Sequence, residues 1–226
     1  MNYPAAVEVR TPERLERWRP LVQWILAIPH LLIAYVLQYA SQLVAFVSWF
    51  IVLFTGKLPE GIANFQTMVL RYSTRTTAYA GFLHAEYPPF AFDMSNAEPG
   101  GTPVDLATVP ALENRNRLTV GLRLIWAIPA LLYAFVIGIV AAICWFIGFF
   151  AVLFTGKWPD GLRKWVMNGL RVQTRLAAYL ALLTDEYPPF ATEAMPTSGA
   201  PAGVVSTPPP PPPPPSVPPP PPPPSV

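Results

Sequence analysis

The sequence predicts an all-α membrane protein built as a tandem duplication of one unit, and three observations support this. Two long stretches, 21–54 and 122–154, consist almost entirely of aliphatic and aromatic residues. The motifs around them recur after a constant interval of 100 residues. Only 12% of the 226 residues are charged, about half of the roughly 25% found in soluble domains. Gap-free repetition indicates duplication, and the low charge indicates a lipid environment.

Each apolar stretch has an awkward length for crossing a membrane. The first stretch contains 34 residues, whereas a helix needs about 20 to cross a hydrocarbon core of roughly 30 Å. It is therefore too long for one upright crossing and slightly short for two. Two alternatives follow. One is a short helical hairpin with its tip near 38–42, or near Gly138 in the second copy. The other is a single long helix kinked at Pro29.

Basic residues favour the hairpin. They flank both ends of both stretches: Arg14, Arg17, Arg19, Lys57, Arg71 and Arg75 in the first copy, and Arg115, Arg117, Arg123, Lys157, Arg163 and Lys164 in the second. Basic flanks prefer the cytoplasmic side of a membrane. A hairpin keeps both flanks on that side, which predicts an integral, multi-pass protein of the plasma membrane.

A second helix is predicted in each unit, over 62–84 in the first copy. It ends before Pro88 and Pro89, because consecutive prolines cannot continue a helix. One face of this helix in the second copy is polar: Lys164, Asn168, Arg171 and Arg175. This spacing predicts an amphipathic helix. We expect it to lie flat in the headgroup layer, since arginine is costly at the bilayer centre; a spanning helix is the alternative.

Composition divides the chain into four parts. These are a first membrane repeat (1–91), a polar connection (92–111), a second membrane repeat (112–191) and a Pro-rich tail (192–226). The tail ends in two proline runs, which predict a disordered, extended polyproline II segment.

Short elements outside the membrane are also predicted. Alternating apolar residues indicate strands at 3–10, 90–93 and 103–109. The segment Thr11-Pro12-Glu13 predicts the start of the first helix, because Thr is a good N-cap and Pro suits the first helical position.

Two motifs recur in both copies, and we interpret both as structural. Thr-Gly-Lys-x-Pro predicts a turn, since it lacks the spacing of a phosphate-binding loop. Tyr-Pro-Pro-Phe terminates the second helix. The residues are Gly56, Lys57, Pro59, Tyr87, Pro88, Pro89 and Phe90, with Gly156, Lys157, Pro159, Tyr187, Pro188, Pro189 and Phe190 in the second copy.

Two groups of polar residues are candidate sites. Two pairs of arginines, Arg71 with Arg75 and Arg171 with Arg175, have the charge and helical spacing to hold an anionic lipid headgroup. Three uncharged residues at membrane depth, Gln38, Ser41 and Gln42, have the chemistry for polar contacts between helices. The sequence contains no catalytic, metal-binding or cofactor-binding pattern.

The order of the motifs carries a resemblance. Ala-Ile-Pro, Leu-Phe-Thr-Gly-Lys-x-Pro, Arg-x-x-x-Arg and Glu-Tyr-Pro-Pro-Phe follow one another in both copies, between Val7 and Ala191. In this the chain resembles a bacterial integral-membrane family known only as a domain of unknown function. The resemblance implies a membrane protein and brings no reaction with it.

We therefore expect a non-enzymatic integral membrane accessory or scaffold protein, whose tail recruits a protein partner. The alternatives are a membrane-shaping hairpin protein and a subunit of a transport or lipid-handling complex. The expected partners are the lipid bilayer, a ligand of the proline-rich tail and further copies of the chain. A net charge of +2 is too small to indicate nucleic acid binding.

Overall fold

The computed structural model describes residues 3–12, 14–94 and 102–196. In chain order the elements are β1 (Ala5–Val9), α1 (Arg19–Thr55), α2 (Glu60–Ala80), β2 (Val104–Thr108), α3 (Arg117–Gly121), α4 (Arg123–Thr155) and α5 (Asp160–Leu180). The fold is mostly helical, and α1 with α2 repeats as α4 with α5. The predicted polyproline segment lies outside the described residues.

The predicted hairpins are wrong, because α1 and α4 are continuous helices of 37 and 33 residues. The predicted tips at 38–42 and Gly138 are helical throughout. Neither tip contains a proline or a pair of glycines, so nothing there interrupts the backbone hydrogen bonds of the helix. Pro29 and Pro129 lie inside the helices.

The predicted helix start at Thr11-Pro12 is also wrong, since α1 begins at Arg19 with Pro20 in its first turn. The preceding segment is held by the other repeat instead: the Leu15 N–H donates to the Gly156 carbonyl at 3.0 Å. This contact keeps the segment out of the helix.

Both long helices end as the sequence predicts, at the Thr-Gly-Lys turn. Gly56 and Gly156 adopt φ angles of +72° and +70°, a left-handed conformation that suits glycine at a helix C-terminus. The Gly56 N–H closes the last turn on the Val52 carbonyl at 2.8 Å.

Helix α2 ends at Ala80, four residues before the predicted end at His84. Phe82 adopts a left-handed φ of +57°, and Leu182 does the same in the second copy at +61°. Their N–H groups bond the carbonyls of Tyr79 and Tyr179. The helix therefore stops at a left-handed residue well before the prolines, and the large side chains at these strained positions are buried.

The strands predicted at 3–10 and 103–109 form as β1 and β2, which pair antiparallel with Val7 opposite Leu106. The strand predicted at 90–93 does not form. That segment packs on α1 and α2, with the Phe92 ring stacked 5.1 Å from Tyr72.

The two repeats are related by a pseudo-two-fold axis. The Leu15–Gly156 hydrogen bond has a counterpart between the Arg115 N–H and the Gly56 carbonyl at 3.1 Å. Nearer the middle of the molecule, the hydroxyls of Thr74 and Thr174 lie 3.4 Å apart. The axis passes between this pair and through the centre of the two-stranded sheet.

Three layers result from this arrangement. The sheet packs on α2 and α5, which pack on each other, and the far sides of α2 and α5 pack on α1 and α4 respectively. The main core forms where the sheet meets the inner helices. Helices α1 and α4 are thus outer elements, each covered on one side only.

Candidate functional site

The predicted headgroup-binding arginines lie in the middle layer. Arg71, Arg75 and Arg175 are buried, and Arg171 is half-buried. The Arg175 guanidinium donates to the Ala191 carbonyl at 2.7 Å, and the Arg75 guanidinium donates to the equivalent Ala91 carbonyl at 3.2 Å. Arg171 Nε lies 3.4 Å from the Val7 carbonyl in β1.

The predicted surface position of α2 and α5 is therefore wrong. The polar face of α5 does lie on one side of the helix, but β1 and the chain after the prolines cover its Arg171 and Arg175, while Lys164 is exposed. Pro188 and Pro189 prevent a regular helix there, so the carbonyls that follow them need donors from elsewhere. The arginines supply these donors, which leaves the buried guanidinium groups little surface for a headgroup.

The Tyr-Pro-Pro-Phe segments fold back onto the long helices. The Phe90 ring stacks on His30 at 4.0 Å, and the Tyr87 ring meets His30 edge-on at 4.8 Å. His30 Nδ1 lies 2.8 Å from the Tyr72 hydroxyl. In the second copy Phe190 packs against Tyr133, with ring centres 5.2 Å apart. Each segment therefore ties the end of one repeat to its own long helix.

The three polar residues predicted to join helices have different surroundings. Ser41 is buried, its hydroxyl donates to Gln66 Oε1, and Gln66 Nε2 donates to the Ser41 carbonyl at 2.9 Å. These bonds connect α1 to α2. Gln38 and Gln42 are exposed and line a cavity instead.

This cavity, of about 320 Å³, lies between α1, α2 and α5. We call it the amide cavity, because four glutamines line it: Gln38, Gln42, Gln66 and Gln173. The rest of its wall is apolar apart from Ser41, and no ionisable side chain lines it.

The pseudo-symmetry produces a second cavity of about 340 Å³, formed mainly by α4 and α5 with contributions from α1 and α2. We call it the tryptophan cavity, since Trp24 and Trp145 line it. Gly138 and Ala142 occupy the positions of Gln38 and Gln42 there. The two cavities are thus formed by equivalent helix positions of the two repeats, but the side chains at those positions differ in chemistry.

The structure also contains a buried ion-pair cluster that sequence analysis missed. Asp185 accepts from Arg115 Nε at 2.8 Å and from Arg123 Nη2 at 2.5 Å. The two arginine side chains are only 1% and 2% exposed. Arg123 also lies over the Tyr179 ring at 4.4 Å. Burial alone would raise the pKa of Asp185, but its hydrogen bond and charge pairing with Arg115 and Arg123 hold the pKa below its ordinary value.

The first repeat has a neutral version of this cluster. Leu15, Gln23 and Ala85 stand where the second repeat has Arg115, Arg123 and Asp185. Gln23 Nε2 donates to the carbonyls of Tyr79 and His84 at 2.7 and 2.8 Å. One copy alone gains two arginines and one acid at matched positions, and this difference between the copies is the signal in the sequence that indicates an ion pair.

His84 provides a pH test of this region. Its burial lowers the pKa of the imidazole from 6.5 to about 4. Below pH 6.5 the unfolded chain binds a proton at this imidazole, and the folded chain does not. The contribution of neutral, buried His84 to the free energy of unfolding is therefore full above pH 6.5 and is lost as the pH falls towards 4. We expect His84→Thr, which copies Thr184 of the second repeat, to flatten the decline of the thermal midpoint between pH 7 and pH 4.

The other histidine needs its own control, because His30 titrates in the same solutions. His30→Ala copies Ala130 of the second repeat and is measured alongside. The two variants are compared by the decline of the thermal midpoint between pH 7 and pH 4. If that decline is unchanged in His84→Thr but is flattened in His30→Ala, the loss of stability in acid is not due to His84.

Within the described ranges, no three His, Cys, Asp or Glu side chains come together as a metal-binding group. Cys144 is buried in α4. Helices α1 and α4 are both long and apolar enough to cross a membrane.

Comparison with known proteins agrees with this repeated architecture. Residues 17–91 and 117–192 each match the family described as a domain of unknown function, DUF4389. Together the matches span more than half of the chain. The chain belongs to the DUF4389 family. Each DUF4389 repeat runs from the segment before a long helix to the end of Tyr-Pro-Pro-Phe, so the resemblance seen in the motifs is confirmed. No curated protein and no solved structure matches the chain significantly.

Proposed function

We propose that this protein is a non-enzymatic integral membrane accessory protein whose two repeats insert side by side into one leaflet. The observation that carries the proposal is the difference between the two sides of α1 and of α4: small or polar residues lie on the covered side, and large apolar residues lie on the uncovered side. The covered side of α1 includes Gln23, Ala27, His30, Ser41 and Ser48. Its uncovered side consists largely of exposed Leu, Ile, Val, Phe, Trp and Tyr.

Helix α4 has the same arrangement. Its covered side is mostly small: Ala127, Ala130, Ala134, Cys144 and Gly148 are buried, while large apolar residues face outwards. A helix at the surface of a soluble domain places its apolar stripe towards the core. Continuous apolar surface of this extent is typical of contact with lipid.

The contacts between repeats argue for helices that lie in the plane of the membrane. The segment before each long helix bonds the turn after the other one, as Leu15 does with Gly156, so α1 and α4 run antiparallel. The sheet packs over α2 and α5, on the side away from α1 and α4. Two exposed acidic residues, Glu8 and Asp105, lie opposite each other on the outer face of the sheet.

Upright helices would carry these carboxylates into the hydrocarbon, where each costs several kcal/mol. Helices parallel to the membrane place the sheet in water and the apolar sides of α1 and α4 in lipid. This placement also keeps every basic flank on one side of the membrane, as the charge distribution favours. Multi-pass crossing is therefore the less favourable arrangement.

Accessibility of two equivalent positions tests the placement. Glu60 and Asp160 are exposed first residues of α2 and α5, and they lie at opposite ends of the antiparallel pair. In a Cys144→Ser background, we expect Glu60→Cys and Asp160→Cys to react with an impermeant maleimide from the same side of sealed vesicles.

Two controls accompany this measurement. Glu8→Cys marks the side of the sheet, and alkaline carbonate washing tests whether the chain is integral. Labelling of positions 60 and 160 from opposite sides would contradict insertion into one leaflet. Release by carbonate would contradict integral membrane binding.

Membrane shaping is a second candidate function, favoured by the one-sided position of α1 and α4. Two long helices in one leaflet displace lipid there and not in the other. Vesicles that are smaller after reconstitution of the full chain than protein-free vesicles of the same lipid would support this function. Vesicles of unchanged size would contradict it.

A further inference from the structure

We propose that the amide cavity binds an uncharged lipid whose headgroup carries both hydroxyl donors and carbonyl acceptors, of the monoacylglycerol or diacylglycerol type. The inference rests on the membrane placement proposed above and goes beyond it, because it assigns a ligand class to one of the two cavities.

The first argument is the position of the amides. Gln38 and Gln42 are exposed on α1 among exposed apolar neighbours such as Val36, Tyr39 and Leu43. Among the described residues, the side chains of Gln38, Gln42 and Gln173 have no hydrogen-bond partner. An amide without a partner in lipid costs several kcal/mol. These three side chains therefore need a polar group from outside the fold.

The second argument is the charge of the lining. Each glutamine offers two N–H donors and one carbonyl acceptor, and no ionisable side chain lines the cavity. A phosphate or ammonium group would enter without a counter-charge, which is unfavourable in an apolar setting. A hydroxyl beside an ester carbonyl satisfies both the donors and the acceptors of the amides.

The third argument is shape. Beyond the amides, the cavity continues along α5 over Leu176, Ala177, Leu180 and Ala181. A volume of about 320 Å³ has room for a glyceryl headgroup and the first methylenes of an acyl chain. The polar and apolar ends of the cavity thus match the two parts of such a lipid.

The tryptophan cavity supplies an internal control. It has the same frame and nearly the same volume, but Gly138, Ala141 and Ala142 replace Gln38, Ser41 and Gln42. The amides therefore are not required by the fold that both repeats share. Gln173 lines both cavities, so the two differ chiefly in the α1 amides. Without Gln38 and Gln42, we expect the tryptophan cavity to accept acyl chains with little selection of a headgroup.

Photo-crosslinking in vesicles tests the inference. The full chain is reconstituted in phosphatidylcholine vesicles with a photoactivatable diacylglycerol, or with a phosphatidic acid that carries the same photoactivatable chain. We expect the diacylglycerol to label peptides that contain 38–45 and 173–181 and to exceed the phosphatidic acid there. Gln38→Leu with Gln42→Leu should reduce this labelling about tenfold, as loss of two ordinary hydrogen bonds implies.

Matched variants separate the outcomes. Ala142→Leu, in the tryptophan cavity, should leave the labelling unchanged. Gln173 stays native in this comparison, because it lines both cavities. An unchanged thermal midpoint shows that the variants fold. Equal labelling by the two probes, or labelling that survives the double variant, would overturn the cavity assignment.

Crosslinks from positions 38 or 42 to a second copy of the chain would also overturn it, since the amides would then join protomers. Failure of the protein to stay in carbonate-washed vesicles would instead overturn the membrane placement. Retention without headgroup selection would overturn the cavity assignment alone.

Discussion

Gly148→Ala is expected to destabilise the fold by about 3 kcal/mol, at the upper end of the usual cost of overpacking. A Cβ at this position would lie 1.9 Å from Cζ3 of Trp158. The Trp158 ring cannot move away freely, because it is 5% exposed and its indole N–H donates to the Phe82 carbonyl at 2.8 Å. The measurement is the thermal midpoint and the denaturant midpoint in micelles.

The first repeat supplies the compensating change. It has Ser48 and Leu58 at the positions of Gly148 and Trp158, so a larger residue on the helix accompanies a smaller one in the turn. We expect Trp158→Leu to rescue Gly148→Ala, with a coupling of about 2 kcal/mol between the two sites. Additive effects of the two changes would show that the contact with Trp158 is not the cause.

Asp185→Asn is expected to lower the free energy of unfolding by about 4 kcal/mol. The substitution keeps the size of the side chain and removes the only charge that the described structure places against both Arg115 and Arg123. Breaking a buried pair from one side is strongly destabilising, because uncompensated charge remains in a site of low polarity. Thermal unfolding in micelles at pH 7 provides the comparison with the native chain.

A neutral cluster should be tolerated, since the first repeat already has one. Arg115→Leu with Arg123→Gln and Asp185→Ala copies Leu15, Gln23 and Ala85. We expect this triple variant to recover most of the stability lost in Asp185→Asn, as replacement of a whole ion-pair group often does. A triple variant less stable than the single one would mean that the cluster itself stabilises the second repeat.

The local elements could be predicted from the sequence because local patterns determine them. The repeat interval, the long apolar helices, the turn at Gly56 and the two strands all follow from composition and spacing. The hairpin prediction was wrong because it rests on the basic flanks at both ends of each apolar stretch, which do not require two upright crossings, and because neither tip contains a proline or a pair of glycines. Length gives no information about orientation, and a helix in the membrane plane can have any length.

The environment of α2 and α5 could not be predicted from one helix at a time. An arginine stripe indicates the polar side of a helix, but it does not reveal whether water or another element covers that side. Here β1 and the chain after Pro189 cover the stripe. The cavities escaped prediction for the same reason, because Gln66 and Gln173 join Gln38 only through contacts between elements distant in the chain.

The exchanged contacts between repeats have a consequence for the origin of the chain. Leu15 closes the turn at Gly156, Arg115 closes the turn at Gly56, and neither strand has a partner without the other. A chain with one repeat would leave these groups unsatisfied, and a second identical chain would satisfy them by two-fold symmetry. These exchanged contacts are therefore the ones expected of a homodimer of single repeats that became one chain by fusion.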